Sequence, residues 1–355
     1  MLARDPEIQA LVAALAASPW VGLDTEADSL HAYPEKLCLL QLSHADGDVI
    51  VDPLASASLG PLLDHLAGRE VILHGADFDL RLLRRVHGFV AARVFDTAIA
   101  AQLLGRPRHG LRDLVREELG VTLHKGPQRA NWSRRPLSPK LLAYAIDDTR
   151  YLKPLRDRLG DALDERGRRG WHRESCERLV KACAAPRIVD PEEAWRIKGS
   201  ARLDRRALAA LRELWRWREA EALRLDRPPY FVLRHEALLE IAERAARGDR
   251  QLPGAVQARV RRALDEALER ALALPIDALP ERPSPVRPPQ LPGAVLRRIE
   301  ALRARRDRRA ADLQIEPALI ASKSEITALA EDWERGVEAM MTWQVELLAE
   351  RAATS

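Results

Sequence analysis

Short apolar runs separated by polar turns fill the first hundred residues and predict that strands alternate with helices. The strand-length runs cover residues 20–26, 36–43, 48–52, 71–74 and 93–95. Helical spacing of apolar residues marks 5–18, 78–87 and 97–104. The second and third strands are joined by His44-Ala45-Asp46-Gly47, and Asp-Gly is typical of hairpin turns. The pattern therefore predicts a mixed α/β sheet with an antiparallel hairpin near its start.

Beyond about residue 140 the pattern predicts helices only. Helical stretches are expected at 155–185, from near 203, and over 293–352, and prolines crowd residues 280–292. We expect an α/β domain, a helical connector, a helical domain, a proline-rich linker and a second helical domain. Their predicted bounds are 1–170, 171–200, 201–282, 283–292 and 293–355.

Composition narrows the class of protein. The 355 residues are 46% apolar and 31% charged, and no apolar run approaches the roughly 20 residues that span a bilayer. Cys38, Cys176 and Cys183 have neither zinc-site nor disulfide-framework spacing, and acids near the N-terminus do not fit a signal peptide. We therefore expect a cytoplasmic protein with no membrane partner. No motif fixes the oligomeric state, and a monomer is favoured.

Charge is unevenly spread along the chain. Residues 1–150 hold 17 Lys and Arg against 19 Asp and Glu, which leaves 40 against 34 for the remainder. An acidic first part suits a carboxylate metal centre, and a basic second part suits a polyanionic partner.

The first candidate site is Asp24-Thr25-Glu26, at the end of the first predicted strand. Because side chains alternate along a strand, Asp24 and Glu26 point the same way. Hard divalent cations take such oxygen ligands. Alone, the pair equally fits a solvated strand end.

Two later stretches supply further acids. Asp77 and Asp79 lie where a strand gives way to a helix; Asp77 suits the N-cap, and Asp79 would fall in the first turn. Ser138-Pro139 is a good helix start, and on that helix Tyr144 and Asp148 lie one turn apart. Taken singly, each stretch also fits an ordinary helix.

Together, Asp24, Glu26, Asp79 and the Tyr144-x-x-x-Asp148 pair resemble the three motifs of DEDD exonucleases, in the branch marked by the tyrosine. The flanking sequence resembles the ribonuclease D family over roughly residues 1–170. The segments that carry this resemblance are Leu-Gln-Leu-Ser (40–43), Phe-Asp-Thr (95–97), Gly-Leu-Arg-Asp-Leu (110–114) and Asn-Trp-Ser-Arg-Arg-Pro-Leu-Ser (131–138). Residues 203–245 resemble the HRDC domain, and 293–350 look like a more divergent copy.

The resemblance implies a ribonuclease H-like mixed sheet flanked by helices, followed by two small all-α HRDC-like domains. It implies a 3′→5′ exoribonuclease that releases nucleoside 5′-monophosphates from RNA with a free 3′ end, with precursor tRNA as the implied substrate. Asp24, Glu26, Asp79 and Asp148 would hold two divalent cations, Mg²⁺ or Mn²⁺. Tyr144 would orient the attacking water. The acids Asp77, Asp96 and Asp147, like His74, are interpreted as structural.

Residues 119–146 contain no acid, although acids are frequent elsewhere. The predicted substrate contacts come from this stretch: Lys125, Arg129, Trp132, Arg134 and Arg135. Trp132 suits core packing better than base stacking. Arginine clusters at 259–262 and 303–309 could add phosphate contacts.

Two other functions remain open at this point. The same carboxylates could serve an exonuclease that acts on DNA, because no motif here reads a 2′-hydroxyl. A nucleic-acid-binding protein with an inactive site is the second alternative.

Overall fold

The computed structural model describes residues 1–55, 58–124, 126, 129–186, 190, 192–249, 258–282 and 291–349. The chain divides into two compact units. The larger unit comprises Met1–Glu26, Leu37–Pro186 and Pro289–Ser355, and the smaller unit comprises Ala27–Lys36 and Arg187–Pro288. The predicted linker over 283–292 lies mostly outside the described residues.

A five-stranded mixed sheet forms the centre of the larger unit. Its strands are β1 Gly22–Ala27, β2 Leu37–His44, β3 Gly47–Val51, β4 Glu70–Leu73 and β5 Arg93–Asp96. Their order is β3-β2-β1-β4-β5; β4 runs parallel to β1 and β5, and β2 is antiparallel to β3. The predicted hairpin is confirmed, because His44 pairs with Gly47 across a two-residue turn. All eight residues of β2 are buried, so both of its faces are covered.

Eight helices accompany this sheet in the described part of residues 1–186. They are α1 Asp5–Ala17, α2 Gly60–Ala67, α3 Asp77–His87, α4 Thr97–Leu103, α5 Leu111–Leu119, α6 Pro139–Arg150, α7 Leu152–Glu165 and α8 Arg169–Ala184. The single helix predicted over 155–185 is interrupted, because Gly167 takes a positive φ of 65°. The buried Arg168 follows this break and donates to the carbonyl oxygens of Leu103 and Leu313, at 2.6 and 2.8 Å.

The smaller unit is helical. It contains α9 Arg205–Leu225, α10 Pro229–Val232, α11 His235–Ala246 and α12 Ala258–Leu272, with short 3₁₀ turns at Ser200–Arg202 and Ile276–Ala278. The Ala27–Lys36 segment, which connects β1 to β2, belongs to this unit. Its Tyr33 hydroxyl donates to Glu219 at 2.5 Å, and its Lys36 pairs with Asp226 at 2.7 Å. Two side chains of the α9 region therefore hold the segment in place.

The C-terminal helices pack in the larger unit. They are α13 Gly293–Leu313, α14 Pro317–Ile320, α15 Lys323–Glu331, α16 Trp333–Val337 and α17 Thr342–Leu348. Ile299 and Ile320 share one hydrophobic core with Leu103 and Leu159. The rings of Trp171 and Trp343 stack with centroids 4.8 Å apart. These helices therefore share the core of the exonuclease-like part, and their identity as a second HRDC-like domain stays a prediction.

Among the described residues, no helix has both the length and the apolar character needed to cross a membrane. Cys38, Cys176 and Cys183 are buried, and no disulfide bond joins them to one another.

The shared core predicts that truncating Trp343 destabilises the larger unit. Its ring is 3% exposed, so Trp343→Ala should lower the free energy of unfolding by about 3–5 kcal/mol. Phe231→Ala is the control, because that ring is 57% exposed and its loss should cost less than about 0.5 kcal/mol. Denaturant titration followed by circular dichroism measures both, and equal midpoints for the two variants would contradict the shared core.

Candidate metal centre

Three acids predicted from distant parts of the sequence meet in the larger unit. Asp24, Glu26 and Asp148 each offer a carboxylate oxygen, and these oxygens all lie within 4.8 Å of one another. Among the described residues, none of the three forms an ion pair with Lys, Arg or His. Such a group of oxygens without a nearby cation suits a hard divalent metal ion.

Local structure explains how these acids come together. Asp24 and Glu26 lie on β1, the central strand, with the alternation expected of a strand. Helix α6 begins as predicted, because the Ser138 side chain accepts from the backbone N–H of Leu141 and Pro139 follows it. Near the end of this helix, the hydroxyl groups of Thr149 and Ser43 are 2.8 Å apart, which joins α6 to β2. That contact fixes the helix turn that carries Asp148 next to the sheet.

The fourth predicted acid, Asp79, is buried in the first turn of α3 but lies outside that 4.8 Å group. Its Oδ1 accepts from the Thr25 backbone N–H at 3.1 Å and from the Thr25 hydroxyl at 2.5 Å. The other carboxylate oxygen, Oδ2, has neither of these bonds. Thr25, which the sequence interpretation missed, therefore orients Asp79 from within the Asp24-Thr25-Glu26 triplet.

The loop that leads into α3 is held by Asp96. Its carboxylate accepts from the backbone N–H groups of Gly75 and Ala76, at 3.0 and 2.8 Å, and also caps α4. The expected N-cap role of Asp77 is wrong, because Ala76 occupies that position. Asp77 instead accepts from Arg81 Nε at 3.0 Å. Asp96 thus has the structural role predicted for it and supports the turn that presents Asp79.

Crowding and burial raise the pKa values of these acids. Burial, with the charges of Asp148 and Asp79, raises the pKa of Glu26 to about 8. Burial also raises the pKa of Asp148 to about 7 and that of Asp79 to about 6. The pKa of Asp24 is raised by burial and then by the charges of Asp79, Asp148 and Glu26. The protein without metal therefore retains protons in this cluster near neutral pH, and a cation would replace them.

Tyr144 lies one helical turn from Asp148, and the two side chains are hydrogen-bonded. Burial and the nearby carboxylates raise the pKa of the Tyr144 phenol above its usual range. The Trp132 ring stacks beside it with centroids 6.1 Å apart. Gly126 also lies against this ring, where an added Cβ would overlap Cε2 and Cδ2 of Tyr144. The tyrosine is therefore held by packing that a single sequence does not reveal.

A cavity of about 350 Å³ opens beside Tyr144 and Asp148. Its lining also includes His124, from the acid-free stretch, and Arg112, which was not predicted as a site residue. His74, in contrast, is part of the supporting structure, since its Nδ1 lies 2.9 Å from the Thr97 hydroxyl.

The predicted substrate contacts have different outcomes. Lys125 lies outside the described residues, while Arg129 and Arg134 have exposed side chains. Trp132 is 2% exposed, so it packs in the core and cannot stack on a base. Arg135 has a structural role, because its five N–H donors go to Asp52 twice and to the carbonyl oxygens of Cys38, Trp132 and Arg134. No donor of Arg135 remains for a phosphate.

Comparison with known proteins agrees with this geometry. Residues 2–164 match the family model described as 3′-5′ exonuclease, and residues 207–266 match that of the HRDC domain. Ribonuclease D of Acidiphilium cryptum is 31% identical over 97% of this chain and 90% of that protein. The crystal structure of Escherichia coli RNase D, an exoribonuclease involved in structured RNA processing, matches with a TM-score of 0.74 at 28% identity, over 98% of this chain and 96% of that one. A crystal structure of a Bifidobacterium adolescentis protein matches with a TM-score of 0.84 at 25% identity, over 98% and 94% of the two chains.

The fold, the acidic cluster and the two domain matches define a metal-dependent 3′→5′ exonuclease that carries an HRDC domain. The chain belongs to the ribonuclease D family, and it is a 3′→5′ exoribonuclease. The predicted family, activity and mixed sheet are thereby confirmed.

The contact between Gly126 and Tyr144 predicts a loss of activity for Gly126→Ala. The added methyl group must displace either the ring or the loop, and a shift of about 1 Å near the reacting atoms can lower kcat by roughly 100-fold. Gly110→Ala is the matched control, because Gly110 lines the same cavity and an added Cβ there meets nothing within 4 Å. Steady-state exonuclease assays measure both variants, with melting temperatures to check folding. Wild-type kcat in Gly126→Ala would refute the tight packing of the tyrosine.

The raised pKa values predict how pH affects the metal-free protein. A carboxyl whose pKa is higher in the folded than in the unfolded protein stabilises the fold at low pH, and this contribution is lost as pH rises from about 4 to about 8. In EDTA, Glu26→Gln should therefore gain stability relative to wild type as pH rises, by roughly 2–5 °C in melting temperature at pH 8. Exposed Glu300 provides the control Glu300→Gln.

Added Mg²⁺ should reduce this difference, because only the wild-type cluster keeps its full set of carboxylates. Thermal melts in EDTA and in Mg²⁺ across this pH range make the comparison. A difference that stays constant with pH, or that Glu300→Gln reproduces, would rule out the repulsive cluster as its source.

Proposed function

We propose that this exoribonuclease trims the 3′ ends of structured RNA, with precursor tRNA as its substrate, and acts in the cytoplasm as a monomer. The proposal rests on the acidic cluster together with the family membership. The RNase D of Escherichia coli acts in structured RNA processing, and this chain matches almost its full length.

We assign Asp24, Glu26, Asp79 and Asp148 as the ligands of two divalent cations, Mg²⁺ or Mn²⁺. The donor set supports this assignment, since all four are carboxylates and three of them place an oxygen within 4.8 Å of one another. Asp24, on which the charges of the other three all act, would be the ligand shared by both cations. When bound, two divalent ions lower the pKa of water and stabilise the charge on the leaving oxygen of a phosphodiester.

The protein's own contribution is to position the reacting groups. A phenol with an ordinary pKa of about 10 keeps its proton at neutral pH, and burial raises the pKa of Tyr144 further, so it acts as a hydrogen-bonding group and not as a base. With its hydrogen directed to Asp148, its oxygen can accept a hydrogen bond from the attacking water. Thr25 keeps Oδ1 of Asp79 occupied, so Oδ2 would be the oxygen that Asp79 offers to a cation. The arginine side chains Arg129 and Arg134 remain candidates for contacts with the RNA backbone.

Asp24→Asn should abolish Mg²⁺-dependent digestion from a free 3′ end while RNA binding persists. The change removes the charge of the proposed bridging ligand and keeps the side chain's size. Matched RNA and DNA oligonucleotides, single-stranded or with a short 3′ overhang, would be digested with and without EDTA. Asp77→Asn is the matched control, because Asp77 lies outside the cluster and pairs with Arg81.

Each arm of this experiment tests a separate part of the proposal. Undiminished digestion by Asp24→Asn would overturn the assigned ligands. Digestion of an RNA with a blocked 3′ end would overturn the direction, and preference for the DNA strand would favour the DNA-directed alternative.

A further inference from the structure

A basic groove lies in the larger unit, away from the acidic cluster. It consists of two adjoining cavities, of about 480 and 570 Å³, that share Glu70, Arg93 and Arg156 in their linings. Glu70 and Arg93 are the first residues of β4 and β5. Strand β1 runs parallel to β4, and its Gly22 pairs with Ile72. Asp24 follows Gly22 and so lies toward the carboxyl ends of these strands, as does Asp79, which follows the end of β4. The groove therefore lies at the amino ends of these strands, and the acidic cluster lies toward their carboxyl ends.

Positive charge dominates the lining of this groove. Seven Lys and Arg side chains line the groove, against two acids, Glu70 and Glu177. The seven cations are Arg69, Arg93, Lys153, Arg156, Arg169, Arg173 and Lys181.

Several of these cations are neutralised within the protein. Arg156 pairs with Glu70 at 3.2 Å, Arg169 pairs with Asp164 at 2.7 Å, and Lys153 pairs with Asp157. Arg173 lies 4.0 Å from Glu177 with both side chains well exposed, so that pair contributes little.

Three positive charges have no carboxylate partner among the described residues. Arg69 donates to the backbone carbonyl oxygens of Leu15 and Ser18, which hold its guanidinium group without cancelling its charge. Arg93 and Lys181 are exposed at the groove and make no ion pair there within the described part of the chain. The groove thus combines a fixed scaffold of paired arginines with three cations available to an anion.

We propose that this groove binds backbone phosphates of the RNA substrate, upstream of the 3′ end that is being cut. Lys and Arg neutralise RNA phosphates without reading sequence. Two neighbouring cavities that share basic lining residues suit an extended polyanion better than a single phosphate group. The half-buried Trp20, which lines the second cavity and packs partly against the core, adds an aromatic surface of the kind on which bases stack.

The position of the groove makes the proposal depend on RNA length. A short RNA whose 3′ end occupies the acidic cluster would not extend to the amino ends of the strands. A longer RNA would reach the groove and gain affinity there. The inference rests on the proposed function. The dependence on RNA length distinguishes a failure of the groove proposal from a failure of the proposed function.

The test uses the double variant Arg93→Ala/Lys181→Ala in the full chain. The control is Lys323→Ala/Arg335→Ala, which removes the same charge from exposed side chains of α15 and α16 in the same unit. Binding of an RNA of about 20 nucleotides is measured in EDTA as a function of salt, and hydrolysis of that RNA and of a trinucleotide is measured with Mg²⁺.

For the longer RNA, we expect the groove variant to bind roughly 10-fold more weakly. The slope of log K against log salt should fall in magnitude by about 1.4, because each phosphate contact on a single strand contributes about 0.7 and the variant removes two. KM should rise for the longer RNA, while kcat should not change. The groove variant should hydrolyse the trinucleotide as fast as wild type. The control variant should hydrolyse both RNAs as fast as wild type.

Four results would overturn the groove as an RNA site. The first is an unchanged salt slope, the second is an equal loss of activity toward the trinucleotide, and the third is an equal loss in the control variant. The fourth is inhibition by 5′-AMP that the groove variant abolishes while its RNA binding stays unchanged. The last would identify a free nucleotide as the ligand. Failure of wild type to digest either RNA would instead refute the proposed function, and the binding measurements would still decide the groove.

Discussion

Four carboxyl groups confined to one small region repel one another, and much of the larger unit serves to keep them there. Asp24 and Glu26 are fixed by the central strand, and Asp148 is fixed by the contact of α6 with β2. Burial raises their pKa values, so the folded chain without metal retains protons at these carboxyl groups, and a divalent cation would replace them. A divalent cation bound by these carboxylates would therefore relieve their repulsion and stabilise the fold.

The supporting contacts are made by residues that never need to touch the substrate. Thr25 holds Asp79 through its backbone and its hydroxyl, and Asp96 fixes the turn before α3. Trp132 and Gly126 both pack against the ring of Tyr144. Buried hydrogen bonds and close packing of this kind leave the reacting side chains few alternative rotamers, which is how a rigid sheet-and-helix scaffold gives a preorganised site.

Local sequence patterns predict the strands, the hairpin and the start of α6, because each depends on neighbouring residues only. The acids and Tyr144 could be selected because their order along the chain resembles a known family. Contacts between distant residues could not be predicted in this way. Arg135 is in a basic stretch, yet Asp52 and three backbone carbonyls take all its donors. Likewise, nothing local indicates that Ile299 and Ile320 complete a core begun by Leu103.

Neither compact unit is a continuous piece of chain, and this limits how the protein could be rearranged in evolution or in the laboratory. The Ala27–Lys36 segment begins one residue after Glu26, and its Tyr33 and Lys36 depend on Glu219 and Asp226, nearly two hundred positions later. Exchanging the HRDC-containing stretch for that of a distant relative would leave this segment without its partners. The interleaved chain therefore favours inheritance of both units together over the shuffling of either one.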